Sequence, residues 1–395
     1  MYNEKMYKLG SKRSVIRELF EYGKKRAAEM GKDSVFDYSL GNPNVPAPKE
    51  INEAIIELLN ELDSIEVHGY TSAPGNLSTR QIISKNIKDR FNCDIPANNI
   101  YITSGAAAAL TITLNALSTN ESDFITFAPF FPEYKVFTGA ARARLKVVPF
   151  NENTFMPDLD AFEKVIGPKT KGVIINSPNN PSGVVYDEET IKKIVDIIKR
   201  ANERFETNIA IISDEPYREL VYDNTFVPYL PNYYDNTIVC YSYSKSLSLP
   251  GERIGYIAVS PKLHMADAIV LAVAGAGRSL GYVCASSLFQ RVIEKCIDVQ
   301  VDINAYKKNR DLIYNSLTKI GYHCIKPQGA FYLFVKSLEE DATAFSDKAK
   351  TLGLLIVPGD DFGAPGFVRL AYCVSYDMIG RSIEAFQKLY EMYQQ

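Results

Sequence analysis

The chain holds 395 residues, 46% hydrophobic and 23% charged, enough apolar surface for two or three packed domains. A net charge of −3 and a pI near 5.8 exclude a basic field that would collect nucleic acid or anionic membrane. No apolar stretch near the N-terminus reads as a secretory leader, no run approaches about 18 apolar residues, and the six cysteines share no C-x-x-C pair. A cytoplasmic protein with reduced thiols is the expectation.

In chain order, the pattern predicts a helix over residues 14–30 and an extended Gly- and Pro-rich stretch over 41–48. Short β-branched runs predict strands at 100–103, 124–127, 146–148, 172–176, 209–212, 237–241 and 254–259. Helical periodicity falls between several of them, at 106–117, 158–166 and 188–205. In the last of these Ile191, Ile194, Val195 and Ile198 form one stripe. Unbroken apolar strands alternating with helices mark an α/β fold, with a mainly parallel sheet covered on both faces. A long helical stretch then runs from about 282 to 320, followed by strands at 330–335 and 367–372 and helices at 342–352 and 379–393. That is the pattern of a smaller α+β unit, on which the first 48 residues, unable to form a core alone, should pack.

Histidine chemistry is poorly served. His68, His264 and His323 have no His or Cys at ligand spacing, so no metal site is expected. Gly277-Arg278-Ser279-Leu280-Gly281 matches G-x-S-x-G but follows a helix-like run, not the strand a nucleophile elbow needs. The same glycines are wrongly spaced for a dinucleotide loop. Arg278 is left open between a surface arginine and a group reaching a substrate side chain.

The segment Ser242-Tyr243-Ser244-Lys245-Ser246 lies just past an apolar strand, and Arg253 follows eight residues after the lysine. Lysine attacks carbonyls only as the free amine, so it needs desolvation or neighbouring cations. The nearby hydroxyls and the arginine fork suit a phosphate. Three other polar loops also follow predicted strands: Thr103-Ser104-Gly105-Ala106-Ala107, Asn176-Ser177-Pro178-Asn179-Asn180, and Ser213-Asp214-Glu215-Pro216-Tyr217. In an open parallel sheet, ligands bind beyond the strands' carboxyl ends, so the four loops point to one crevice. Ser104, Gly105, Ala106 and Ala107 are its natural anion site, where free amides open a helix. Arg369, inside the apolar run Phe367-Val368-Arg369-Leu370-Ala371, calls for an anionic partner.

Ser-Pro-Asn-Asn-Pro-Ser-Gly, Asp-x-x-Tyr and Ser-x-Ser-Lys-x-x-x-Leu-Pro-Gly-x-Arg-Ile-Gly-Tyr occur in that order. With Gly41-Asn42-Pro43 before them and Val368-Arg369-Leu370 after, the set resembles the class I/II, fold type I, pyridoxal phosphate (PLP)-dependent aminotransferases of the aspartate aminotransferase kind. The resemblance implies a large PLP-binding domain over 49–285, built on a mainly parallel seven-stranded sheet. It implies a small domain from 1–48 and 286–395, and a homodimer with shared sites. Lys245 would form the Schiff base and shuttle the proton. Asp214 would pair with the pyridine nitrogen, and Tyr217 and Asn180 would bind the phenol oxygen. Ser242, Ser244, Arg253 and the amides of Ala106 and Ala107 would hold the phosphate, and Phe131 would stack on the ring. Arg369 would clamp the substrate carboxylate with Gly41 and Asn180, and Tyr70 would reach the neighbouring subunit's phosphate.

A carboxylate about 4 Å from the ring nitrogen contributes roughly 4 kcal/mol at an effective dielectric near 20, enough to keep that nitrogen protonated. The implied reaction moves an amino group from an L-amino acid, aspartate or another acidic one first, to a 2-oxo acid such as 2-oxoglutarate by a ping-pong route. An aromatic aminotransferase or a β-eliminating C–S lyase shares most of these motifs. A non-catalytic ligand-sensing module would carry a DNA-binding extension, for which a motif set starting by residue 41 leaves no room. Two features depart from the pattern: Phe131 cannot make a polar contact, and the bland 106–109 stretch leaves anion binding to backbone amides.

Overall fold

Runs of Val, Ile and Phe pair edge to edge through the middle of the chain, and the helices between them lay one apolar stripe on the resulting sheet. The computed structural model describes residues 1–11 and 15–394. Ser14, the expected start of the first long helix, lies outside the described residues. The chain opens with α1 (Glu4–Ser11), α2 (Val15–Met30) and the short strand β1 (Phe36–Asp37). Helices α3 (Lys49–Glu61), α4 (Ser64–His68) and α5 (Leu77–Phe91) lead to β2 (Ile100–Thr103) and α6 (Ala106–Leu117). Strict alternation follows: β3 (Asp123–Phe127), α7 (Glu133–Ala140), β4 (Arg144–Val148), α8 (Leu159–Val165), β5 (Thr170–Asn176) and α9 (Glu188–Phe205). Strands β6 (Ala210–Glu215) and β7 (Thr237–Ser242), the one-turn helix α10 (Tyr243–Ser246) and β8 (Gly255–Val259) complete a seven-stranded sheet.

The sheet order is β2-β8-β7-β6-β5-β3-β4. Every pairing is parallel except those of β8, which runs against both its neighbours. Strand β2 therefore points the same way as β7, and the carboxyl ends of β2, β5, β6 and β7 share one edge. Alternation along each strand divides the core. Val173 and Ile211 meet the α9 stripe of Ile191, Ile194 and Ile198 on one face. Ile174, Ile212 and Ile238 meet Ala109, Ile112 and Leu114 of α6 on the other.

The C-terminal part continues through α11 (Ala266–Leu280), α12 (Ser287–Cys296), α13 (Ile303–Ile320) and β9 (Tyr332–Lys336). It ends with α14 (Ala342–Thr351), β10 (Leu354–Leu355), β11 (Val357–Pro358), β12 (Phe367–Ala371) and α15 (Tyr376–Glu391). Strands β11, β12 and β9 form an antiparallel sheet. Its Leu333, Val368 and Leu370 pack with Ile313 and Leu317 of α13 and Ile379 and Leu389 of α15. Strand β1 pairs with β10, and Leu19 of α2 packs on Leu355 and Val357, so the N-terminal arm is stitched to this unit.

The helix expected without interruption over about 282–320 is two helices. Ser286 and Asp302 are the reason: their side chains accept the Phe289 and Asn304 amides and start α12 and α13 afresh. Helix α12 packs Val292, Ile293 and Cys296 against Ile51 and Leu58 of α3 and Ile83 of α5. Ser279 of the G-x-S-x-G match sits inside α11, which removes any nucleophile elbow there. Among the described residues, no helix is long and apolar enough to cross a membrane.

Candidate active site

A cavity of about 330 Å³ opens at the shared strand edge. Lys245, Asp214, Tyr217, Asn180, Ser242, Ser244, Ala106, Ala107, Phe131, Arg253, Gly41 and Arg369 all line it. A larger cleft of about 860 Å³, between 44–48 and the start of α13, contains none of them.

Lys245 is placed by the turn that ends β7. Ser242 caps α10 by accepting the Ser244 amide at 3.2 Å, and its hydroxyl donates to Ser244 Oγ at 2.8 Å. That single turn aims Lys245 Nζ across the cavity, where it donates to the Gly41 carbonyl at 2.9 Å. The amine also lies 5.3 Å from the Phe331 ring centre. Burial, with the Arg253 and Arg369 cations assisting, lowers its pKa to about 8, against a weaker upward pull from Cys373. A much larger fraction is free amine near neutrality than in an ordinary lysine.

Asp214 closes β6. Tyr134 donates to its Oδ2, while Oδ1 is buried and has no partner among the described residues. Burial raises its pKa to about 7; the Tyr134 hydrogen bond lowers it and Glu215 raises it. An unpartnered oxygen of this kind costs about 1–3 kcal/mol unless a donor meets it. Tyr217, on the turn after β6, shares a 2.9 Å hydrogen bond with the Tyr332 hydroxyl, and both are buried.

The anion cradle lies at the amino end of α6. Gly105 caps it at φ 85°, and a Cβ there would stand 2.8 Å from Arg253 Nη2, so only glycine leaves room for that approach. Arg253 donates to the Ser104 carbonyl at 3.3 Å, the Pro250 carbonyl at 2.9 Å and Ser244 Oγ at 3.4 Å. Ser104 thus contributes its backbone.

Arg369 is 3% exposed. It donates to the Ser39 carbonyl at 2.6 Å and to Asn180 Oδ1 at 3.3 Å, and its Nε has no partner. Its guanidinium lies between the Tyr332 and Phe362 rings, 4.7 and 5.0 Å from their centres. Among the described residues, no carboxylate forms an ion pair with it. Ser104, Gly105 and Tyr70 do not line the cavity: the first two contact Arg253 behind it, whereas Tyr70 is 98% exposed. Arg278 is exposed in the last turn of α11, also away from the cavity.

Sequence reasoning assigned no role to Tyr134, Tyr332 or Ser39. No short-range signal marks them, because their partners stand 80, 115 and 330 residues away.

The sequence family described as Aminotransferase class I and II matches residues 34–386. The chain is 32% identical over 391 residues to a probable aspartate aminotransferase of Methanocaldococcus jannaschii, covering 96% of this chain and 98% of that one. It is 30% identical to an aspartate aminotransferase of Thermotoga maritima, covering 92% and 93%. A solved aminotransferase from Eubacterium rectale superposes with a TM-score of 0.99 at 56% identity, over the full length of both chains. The chain belongs to the class I and II aminotransferase family and is an enzyme of that class.

Proposed function

We propose that the cavity binds PLP and that the enzyme moves an amino group from an L-amino acid, aspartate or another acidic one first, to a 2-oxo acid such as 2-oxoglutarate in a ping-pong cycle. The observation that carries this reading is one cavity walled jointly by a low-pKa lysine and, among the described residues, a buried carboxylate with an unpartnered oxygen and an arginine without a carboxylate partner. Aspartate comes first because the relatives named above carry that donor in their names.

The residues present fit the cofactor. The unpartnered Oδ1 of Asp214 suits a protonated ring nitrogen, and the two charges would stabilise each other where either alone is penalised by burial. The α6 amides at Ala106 and Ala107, with Ser104, Gly105, Ser242, Ser244 and Arg253, suit a phosphate. When bound, PLP supplies a carbonyl carbon for an amine and a ring that takes up the electron pair left as the substrate Cα–H bond breaks.

Lys245, as free amine, would hold the cofactor through its carbonyl carbon and would move the proton at the substrate Cα. Asp214 would hold the ring nitrogen charged. Tyr217 and the Asn180 amide would donate to the phenol oxygen, and Phe131 would cover the ring. Arg369, with the Gly41 backbone and Asn180, orients the substrate's α-carboxylate, its aromatic walls excluding water from the contact.

Tyr70 would reach the phosphate of a second copy, which makes the working unit a homodimer. The exposed apolar side chains of Tyr70, Tyr282 and Val283 support that reading, on two segments tied by the 3.2 Å contact of Cys284 Sγ with the Thr71 carbonyl. The domain division proposed is 49–285 against 1–48 with 286–395, and the packing of α12 on α3 and α5 favours moving the second boundary past Cys296. A cytoplasmic location fits six free cysteines.

The test is a panel of amino donors followed by half-reaction spectra of the bound cofactor. Conversion of the cofactor by aspartate, reversed by 2-oxoglutarate, is expected. Pyruvate and ammonia without new amino acid would make the enzyme a β-eliminating lyase, and the absence of any yellow, borohydride-reducible adduct on Lys245 would overturn the reading.

A further inference from the structure

Tyr332 stands where the three parts of the site meet. Its hydroxyl bonds Tyr217 at 2.9 Å, its ring carries the Arg369 guanidinium at 4.7 Å, and any side chain at Gly41 would collide with its oxygen. Gly41 in turn accepts from Lys245 at 2.9 Å. The two tyrosine rings meet edge to face, 5.7 Å apart at 82°, so the hydroxyl pair is fixed by packing on both sides.

Proton counting decides what the pair can do. Each hydroxyl has one proton, and one of the two occupies the bond between them. If Tyr217 donated to Tyr332, it would have no proton left for a ligand. If Tyr332 donates, Tyr217 accepts and keeps its own proton for the cavity. The surroundings favour the second arrangement. The neighbours of the Tyr332 ring and hydroxyl include Arg369, a donor without acceptor capacity, and a cation over a phenol ring strengthens its O–H as a donor. Burial raises both phenols, and Arg369 pulls each of them back. With the Arg369 guanidinium 4.7 Å from its own ring centre, Tyr332 is the better donor of the two.

We infer that Tyr332 is a positioning residue with two separable parts: its hydroxyl donates to Tyr217 and turns the Tyr217 proton toward the cofactor's phenol oxygen, and its ring holds Arg369 for the substrate carboxylate. The inference rests on the PLP reading above. A stronger donor at the phenol oxygen would draw charge from it and lower the proton affinity of Lys245 Nζ where it joins the cofactor. Removing the Tyr332 hydroxyl should therefore raise the pH at which the bound cofactor's visible absorption titrates.

The test is spectrophotometric pH titration of the holoenzyme, with no substrate present. Tyr332→Phe should shift the midpoint upward by roughly 0.3–1 pH unit, the size of one neutral hydrogen bond. Tyr217→Phe should shift it further, and the double variant should match Tyr217→Phe alone, because the Tyr332 hydroxyl acts only through Tyr217. The ring is tested apart: Tyr332→Leu should raise the amino donor's KM about tenfold or more above that of Tyr332→Phe. A Tyr332→Phe midpoint equal to the unmodified enzyme's, or additive shifts in the double variant, would overturn the hydroxyl's role. An equal KM in the Phe and Leu variants would overturn the ring's. A holoenzyme with no titrating band at all would overturn the PLP reading itself, and this inference with it.

Discussion

Two buried arginines lie on either side of the β6 end, and they are satisfied in opposite ways. Arg218 pairs with Glu215 through Nε and at 2.8 Å through Nη2, donates to the Val227 and Pro228 carbonyls, and lies 5.1 Å from the centres of the mutually stacked Phe91 and Tyr229 rings. Arg369 also has two aromatic neighbours and a carbonyl, but an orphan Nε and, among the described residues, no acidic partner. One region has completed its charge balance within the chain. The other is missing an anion, and beside it Asp214 is missing a donor. A buried cation without a counter-charge is costly to the fold and useful only to a ligand, which is why the two clusters should answer differently to the same substitutions.

The largest effect should come from the cavity. Lys245→Ala should lower transamination by about four orders of magnitude or more while still binding cofactor non-covalently. Its unfolding midpoint should not fall, since a partly desolvated amine is removed. Activity near that of the unmodified enzyme would break the distinction between the two regions at once.

Next come the arginines, each replaced by methionine to keep volume. Arg218→Met leaves Glu215 buried and uncompensated, and should destabilise the cofactor-free protein by about 3–5 kcal/mol in denaturant unfolding. Arg369→Met should leave that stability equal or higher, because no carboxylate is stranded, yet cost roughly 2–5 kcal/mol in kcat/KM for amino donors. Equal destabilisation at both positions would make Arg369 structural.

The same contrast explains what could be read in advance. The strands at 170–176 and 210–215 were legible because parallel strands buried on both faces must be unbroken apolar runs, and the loops after them because a ligand edge follows from strand direction. Lys245, Asp214, Asn180 and Arg369 share a cavity as the motif order implied. Tyr134 and Tyr332 were illegible: each sits in a stretch with ordinary packing periodicity and acquires a role only through a partner far along the chain. The saturated state of Arg218 was equally invisible, since Phe91 and Tyr229 reach it from other elements. The break between α12 and α13 was missed because caps at Ser286 and Asp302 are local signals weaker than the helical periodicity around them.

The smallest effect separates the two carboxylates that β6 places side by side. Burial raises Asp214 from 3.8 to about 7 in the cofactor-free protein, so the folded chain binds that proton more tightly than the unfolded one. The stability this proton contributes is fully present below about pH 4 and is lost as pH rises through 7, by up to about 2–4 kcal/mol. Asp214→Asn should therefore flatten the decline between pH 5 and pH 8 and raise the unfolding midpoint at pH 8, with the difference between the two proteins isolating this group from every other titration. Bound PLP should reverse the sign at pH 8, since a protonated ring nitrogen stabilises the Asp214 anion and has no such partner in the Asn variant. Identical pH slopes in the two cofactor-free proteins would mean that Asp214 already has a counter-charge within the chain, as Glu215 does in Arg218, and the contrast between the two regions would fail at its centre.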